Sequence, residues 1–273
     1  DLRLSRGLGD VYKRQAGIRW ETQDRTLILT IDRQHRRNAL DPDAHHQLAS
    51  LFDIFADSDE HLVAIITGTG DKAFCSGSDL SVEAGLDRAN LPPTGFAGIA
   101  ERFDLIKPVI AAVNGDAIGG GMEIVLACDM CVAVPSARFS LPEPRVGLAA
   151  SGGLHRLARQ VPLKQAMEIA LTGRMFTADE LVGMGVVNQL SPSLTGAANA
   201  LVTALETAAL ICENAPLSVR ATKQMMMSGL NLPDLETAFA TRYPAFEAML
   251  ASEDAREGRL AFLQKRHPKW RGR

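Results

Sequence analysis

Apolar and β-branched positions become periodic from Ile18 onward. IRWET and RTLILTID are separated by a short polar turn at Gln23-Asp24-Arg25, which predicts a hairpin. Asp41-Pro42 is a helix-start pair, and Leu48, Leu51, Phe52 and Phe55 follow it at helical spacing. LVAIITGTG then reads as a buried strand. AGIAERFDLIK is predicted to be a helix stopped by Pro108, followed by VIAAVNG as a continuous apolar strand ending at Gly115. GGGMEIVLACD predicts a helix opening on glycines, and MCVAV a further strand. Strands alternating with helices imply a wound α/β core with short loops at the strand ends, where sites are usually built.

Beyond Gly152 the periodicity changes. LHRLARQ, LKQAMEIAL and TADELVGMG predict amphipathic helices, VVNQLS a short strand, and the remainder helix. Leu201, Leu205, Ala208, Ala209 and Cys212 repeat at helical spacing. Met225, Met226 and Met227 point in different directions around a helix, which suits core or subunit interface better than a Met-rich groove. The expected organisation is a lead over residues 1–15, a core over 16–205 and a helical C-terminal region over 206–273. The lead shows neither an apolar h-region nor a clear amphipathic repeat, and reads as disordered or foreign.

Composition excludes several function classes. Over 273 residues the formal net charge is -3, so no nucleic-acid surface is demanded. No apolar run approaches the roughly 20 residues needed to span a bilayer, because charged residues interrupt every candidate. Neither nucleic acid nor membrane is an expected partner. Cys75, Cys128, Cys131 and Cys212 are scattered through segments that look buried or helical, which fits a reducing cytoplasm. Cys128 and Cys131 have C-x-x-C spacing, but no second Cys/His pair stands at a matching interval, so no metal site is expected. The basic, aromatic tail EGRLAFLQKRHPKWRGR could face RNA, a phosphate-bearing small ligand or a neighbouring subunit.

Three segments carry candidate chemistry: KAFCSGSDL (72–80), NGDAIGGGME (114–123) and FSLPEPRVGL (139–148). Each lies at a strand-to-helix or strand-to-loop junction. Backbone N-H groups at such glycine-rich junctions can point at an anion, because the first helical donors have no intrahelical acceptor. The spacing G-x-x-x-G-G-G is not that of a dinucleotide loop, and no acidic residue ends a suitable second strand about 20 residues on. Close helix-to-sheet packing is the alternative role for the glycines. Glu123 falls in the first turn of an otherwise apolar helix, as a partner of the helix dipole or as a catalytic group. Glu143, between Pro142 and Pro144 in a stiffened loop, is equally ambiguous taken alone.

Together the three segments resemble the crotonase, or enoyl-CoA hydratase/isomerase, superfamily, from about Gly17 to the C-terminus. The resemblance implies a spiral of repeated ββα units with a helical C-terminal oligomerisation region, assembled as trimers or paired trimers. It implies that the N-H groups of Ser78 and Gly120 form an oxyanion hole for a thioester carbonyl. Glu123 would activate water at Cβ and Glu143 would deliver a proton to Cα, so that water adds reversibly across the double bond of an enoyl-CoA. CoA would lie along Arg36, Ser76, Ser78, Asp79, Leu80, Gly119 and Gly120, with Phe262 and Lys265 approaching from the tail, and no separate cofactor is implied. Arg36 and Arg37 could equally be solvated loop charges.

Two departures stand out: Arg33-Gln34 replaces the family's R-P, and the loop 148–153 is about one residue shorter than the usual glycine-rich turn. The tail and the stretch 96–121 are similar to carnitinyl-CoA dehydratases as well as to general hydratases. Double-bond isomerases of the family resemble a design with one carboxylate, at the position of Glu143. A non-catalytic acyl-CoA or RNA binder is a further alternative. A hydrolase using Cys75 or Ser151 ranks lower, since no His stands in an evident partnering motif. The acyl group depends on loop geometry around Val82 to Phe96 that the sequence does not fix.

Overall fold

The structure, a computed structural model, describes residues 13–81, 88–192 and 197–273. Its strands are β1 (Lys13–Gln15), β2 (Ile18–Gln23), β3 (Thr26–Ile31), β4 (Val63–Gly68), β5 (Ala73–Cys75), β6 (Val109–Val113), β7 (Asp116–Ile118), β8 (Met130–Ala133), β9 (Arg138–Ser140), β10 (Phe176–Thr177) and β11 (Gln189–Leu190). One sheet runs β1-β2-β3-β4-β6-β8-β11 and the other β10-β9-β7-β5. From β4 to β9 consecutive strands alternate between the two sheets. Helix α2 (Gly120–Ala127) closes one turn of this spiral, and α3 (Leu154–Gln160) with α4 (Leu163–Thr172) closes the next. The repeated ββα architecture is therefore present.

Every residue of β3, β4 and β6 is buried, which is why these segments read as continuous apolar runs. Helix α1 (Pro42–Asp57) starts where expected: the Asp41 carboxylate accepts the Ala44 N-H at 2.9 Å, and Pro42 occupies the first turn. The hairpin turns at Asp24, which adopts positive φ.

Three expectations are corrected. Lys13–Gln15 belongs to the sheet, pairing antiparallel with β2, so the expected lead ends before it; residues 1–12 lie outside the described residues. The segment 97–107 is not a helix. It begins with a single 3-10 turn, Phe96–Gly98, and continues irregularly to Pro108, because Gly95, Ala97 and Gly98 all take positive φ.

The third correction concerns α6 (Ala197–Cys212), which packs on β4, β6 and β8. Among its described side chains Ala200, Ala204 and Ala208 are fully buried, while Leu201, Leu205 and Cys212 flank them and Ala209 is exposed. Small side chains let the helix lie close to the sheet, so the buried stripe is the alanine row. The expected boundary at 205/206 cuts this helix, and the core extends through it. The chain then continues as α7 (Pro216–Gly229), α8 (Leu235–Ala240), α9 (Pro244–Ala251) and α10 (Glu253–Leu263), and α5 (Ala178–Met184) precedes β11.

Candidate active site

The strands β5, β7 and β9 are parallel neighbours, registered Cys75 with Ala117 and Ile118 with Ser140. Their carboxyl ends release the three candidate segments side by side: Ser76 to Ser78, Gly119 to Glu123, and Pro142 to Glu143. Sites at the carboxyl ends of parallel strands are a general outcome of such sheets. The Gly119 N-H donates to Ser140 O at 2.9 Å, fastening the start of α2 to the end of β9.

The glycines at this junction are sterically required. A β-carbon at Gly121 would stand 2.0 Å from the Cys75 carbonyl oxygen, and one at Gly120 would stand 2.2 Å from the Phe96 ring. Gly77, at φ +93°, brings the first segment so close that a β-carbon there would lie 3.3 Å from Gly120 N. The amides of Ser78 and Gly120 therefore belong to one small region. Neither donates to another described residue, and Gly120 N-H is an opening donor of α2, where the helix dipole is positive. Such a pair can stabilise an oxygen on which negative charge develops.

Glu123 is 7% exposed and lies one turn into α2. Its Oε1 accepts the Gly152 N-H at 2.8 Å. A β-carbon at Gly152 would meet Glu123 Oε2 at 3.0 Å, so the loop 148–153 closes on this carboxylate through a bare backbone. Glu143 sits in the 3-10 turn Glu143–Val146, its Oε2 buried and without a hydrogen-bond partner among the described residues. Its Oε1 would lie 3.0 Å from a β-carbon at Gly119, the residue that caps α2. Burial, and after it the neighbouring Glu143 carboxylate, push Glu123 up to about 7 against the opposing Gly152 and Gly153 amides. Burial raises Glu143 as well. Two carboxyls with raised pKa, sharing one field, supply an acid and a base near neutral pH.

A sequence model described as enoyl-CoA hydratase/isomerase matches residues 21–273. The chain belongs to the enoyl-CoA hydratase/isomerase family. Carnitinyl-CoA dehydratase from Proteus mirabilis (strain HI4320) is 39% identical over 261 residues, covering 92% of this chain and 97% of that protein. Carnitinyl-CoA dehydratase from Escherichia coli (strain K12) is 40% identical over 256 residues, with 90% and 95% covered. The crystal structure of an enoyl-CoA hydratase from Mycobacterium tuberculosis H37Rv superposes with a TM-score of 0.86 at 37% identity, covering 95% of this chain and all of that one.

Around this enoyl-CoA hydratase/isomerase centre the other expected residues divide. Asp79 is buried in an internal network: its carboxylate accepts from the Ser81 amide and hydroxyl and pairs with Arg33 at 3.0 Å and Arg36 at 4.0 Å. These partners hold Asp79 below the usual carboxylate range, the Ser81 hydroxyl foremost. Ser76 donates its hydroxyl to Arg36 O at 3.4 Å, and Arg36 itself is half-exposed. Leu80 is exposed beside them. Phe262 and Lys265 lie on exposed surface at the end of α10. Residues 82–87 of the acyl-recognition stretch lie outside the described residues.

From the sequence Arg33 stands out only within the Arg33-Gln34 departure, not as a site residue. It forks between Asp41 at 2.5 Å and Asp79 at 3.0 Å while its Nε donates to Ala39 O at 2.7 Å. It thereby ties the cap of α1 to the segment bearing Ser78, which also pairs with Leu40. Its partner Asp79 is remote in sequence, and the only signal was its place in the family's R-P motif.

Proposed function

We propose that this chain is a hydro-lyase that adds water reversibly to the α,β double bond of an enoyl-CoA thioester. The observation that carries the reading is the convergence of two raised-pKa carboxyls with two unshared amides at the ends of β5, β7 and β9. In the forward direction Glu123 takes a proton from water as the water oxygen bonds to Cβ. The π electrons move toward the thioester carbonyl, and its oxygen gains charge opposite the N-H groups of Ser78 and Gly120. Glu143 then gives its proton to Cα, and the carbonyl re-forms. Dehydration runs the same steps backwards.

The presence of both carboxylates favours moving water over moving only a proton, since an isomerase needs one. Two acyl classes suit the reading, a simple enoyl chain and, by likeness to the Proteus and Escherichia relatives, a carnitinyl chain. The CoA moiety is placed along Arg36, Ser76, Ser78, Asp79, Leu80, Gly119 and Gly120, with Phe262 and Lys265 at a neighbouring subunit's site. Trimers or paired trimers fit the apolar side chains of Leu163, Met167 and Leu171 exposed in a row on α4. Four free thiols fit a cytoplasmic setting, and fatty-acid metabolism is the matching role. Incubating the protein with a panel of acyl-CoA thioesters and reading products by mass spectrometry tests the assignment. Hydration of an enoyl-CoA or dehydration of carnitinyl-CoA is expected; thioester cleavage or double-bond migration without water exchange would reject it.

A further inference from the structure

The loop that replaces the expected helix at 97–107 is held in place by a histidine on α1. His45 is 2% exposed, and its Nδ1 accepts the Ala97 N-H at 3.0 Å. A ring nitrogen that accepts an amide proton carries none itself, so His45 is neutral with its proton on Nε2. Burial maintains that state by pulling its pKa down to about 4; Asp41 opposes, and His46 and Arg33 act in the same direction as burial.

What the bond holds is strained. Ala97 sits at φ 53°, ψ 19°, a left-handed conformation unusual for a residue with a β-carbon. Gly98 beside it packs so tightly on α1 that a β-carbon there would lie 2.4 Å from Ala49 Cα. Phe96, on the other side, meets the His45 ring edge-to-face with centroids 4.4 Å apart. The same Phe96 ring lies against the α-carbon of Gly120. The contacts form a continuous path: α1, His45 and Ala97, Phe96, Gly120.

We propose that His45 is a positioning residue, which through the Ala97 amide and the Phe96 ring fixes the first turn of α2 and so aims the Gly120 N-H at the thioester oxygen. The proposal rests on the hydro-lyase reading and its oxyanion pair. His45 reaches no reacting atom; it acts on Phe96, and Phe96 on Gly120. A displacement of the order of 1 Å at a transition-state donor can cost about a hundredfold in rate.

The test compares His45→Asn, whose Oδ1 can accept the Ala97 amide from the position of Nδ1, with His45→Leu, which fills space and accepts nothing. Two quantities are read: kcat and KM on the best substrate of the panel, and the red shift of the absorption band of bound cinnamoyl-CoA, which reports carbonyl polarisation without turnover. His45→Leu is expected to lose about tenfold or more in kcat with KM changed less than about threefold, and to show a smaller red shift. His45→Asn is expected to recover most of both, even if the two variants have equal thermal midpoints. If His45→Leu keeps the wild-type red shift and kcat, or if His45→Asn fails as badly as His45→Leu at equal stability, the proposal is overturned. If the wild-type protein neither turns over nor shifts the band, the hydro-lyase reading falls, and the proposal with it; a wild-type response with indifferent variants condemns the proposal alone.

Discussion

A carboxylate in the first turn of a helix is ordinarily stabilised by the helix dipole, yet Glu123 has a pKa near 7 because burial and Glu143 outweigh that help. The folded value lies above the unfolded one, so the protonated form is favoured by folding. Stability therefore falls as pH rises from about 4.5 to 7, where the unfolded chain releases this proton and the native state still holds it, and the full cost persists above that. Glu123→Gln, which can still accept the Gly152 amide, is expected to raise stability by ~1–3 kcal/mol at pH 8 and by little at pH 4. Urea melts at the two pH values check this, and equal gains would contradict it. Gly121→Ala is expected to destabilise by ~2–4 kcal/mol, since its β-carbon meets a backbone carbonyl that cannot turn aside. The same melts at one pH measure it. The two glutamates and the glycines were legible in the sequence because each motif is local. The roles of Arg33 and His45 were not, because Asp79 and Ala97 lie 46 and 52 residues from them, and only folding brings a guanidinium to Asp79 or an imidazole to Ala97.

At the scale of elements, the strands were readable because β3, β4 and β6 are buried on both faces and carry unbroken apolar runs. The segment 97–107 misled because its apolar spacing suits a helix, while Gly98, with Gly95 just before the segment, permits a loop that tertiary contacts then select. Arg156 supplies much of that selection. Its Nε donates to Ala100 O at 2.9 Å, and Nη2 reaches Ile99 O at 3.5 Å and Arg102 O at 3.2 Å. Arg156→Met leaves those carbonyls without their donor. Amide hydrogen exchange across residues 95–102 is expected to accelerate by about tenfold or more, with α1 unchanged; unaltered exchange would mean that the loop does not depend on Arg156.

For the whole molecule, the spiral and the helical ending were legible through family resemblance, while the place where core passes into C-terminal region was not. Alanine is apolar but small, so the row Ala200, Ala204, Ala208 is masked in sequence by the larger leucines beside it. A chain ending after residue 205 cuts α6 and uncovers parts of β4, β6 and β8. It is expected to lose cooperative unfolding in urea relative to the full chain, whereas an unchanged transition would restore the boundary at 205. The same architecture brings three strand ends together and makes the two glutamates a pair. The most direct test of that pairing is incubation of an enoyl-CoA in oxygen-labelled water with the wild type, Glu123→Gln and Glu143→Gln, followed by mass spectrometry. Label in the 3-hydroxyacyl product of the wild type, falling by about a hundredfold or more in both variants, is the predicted result. Labelling at the wild-type rate in either variant would contradict the account.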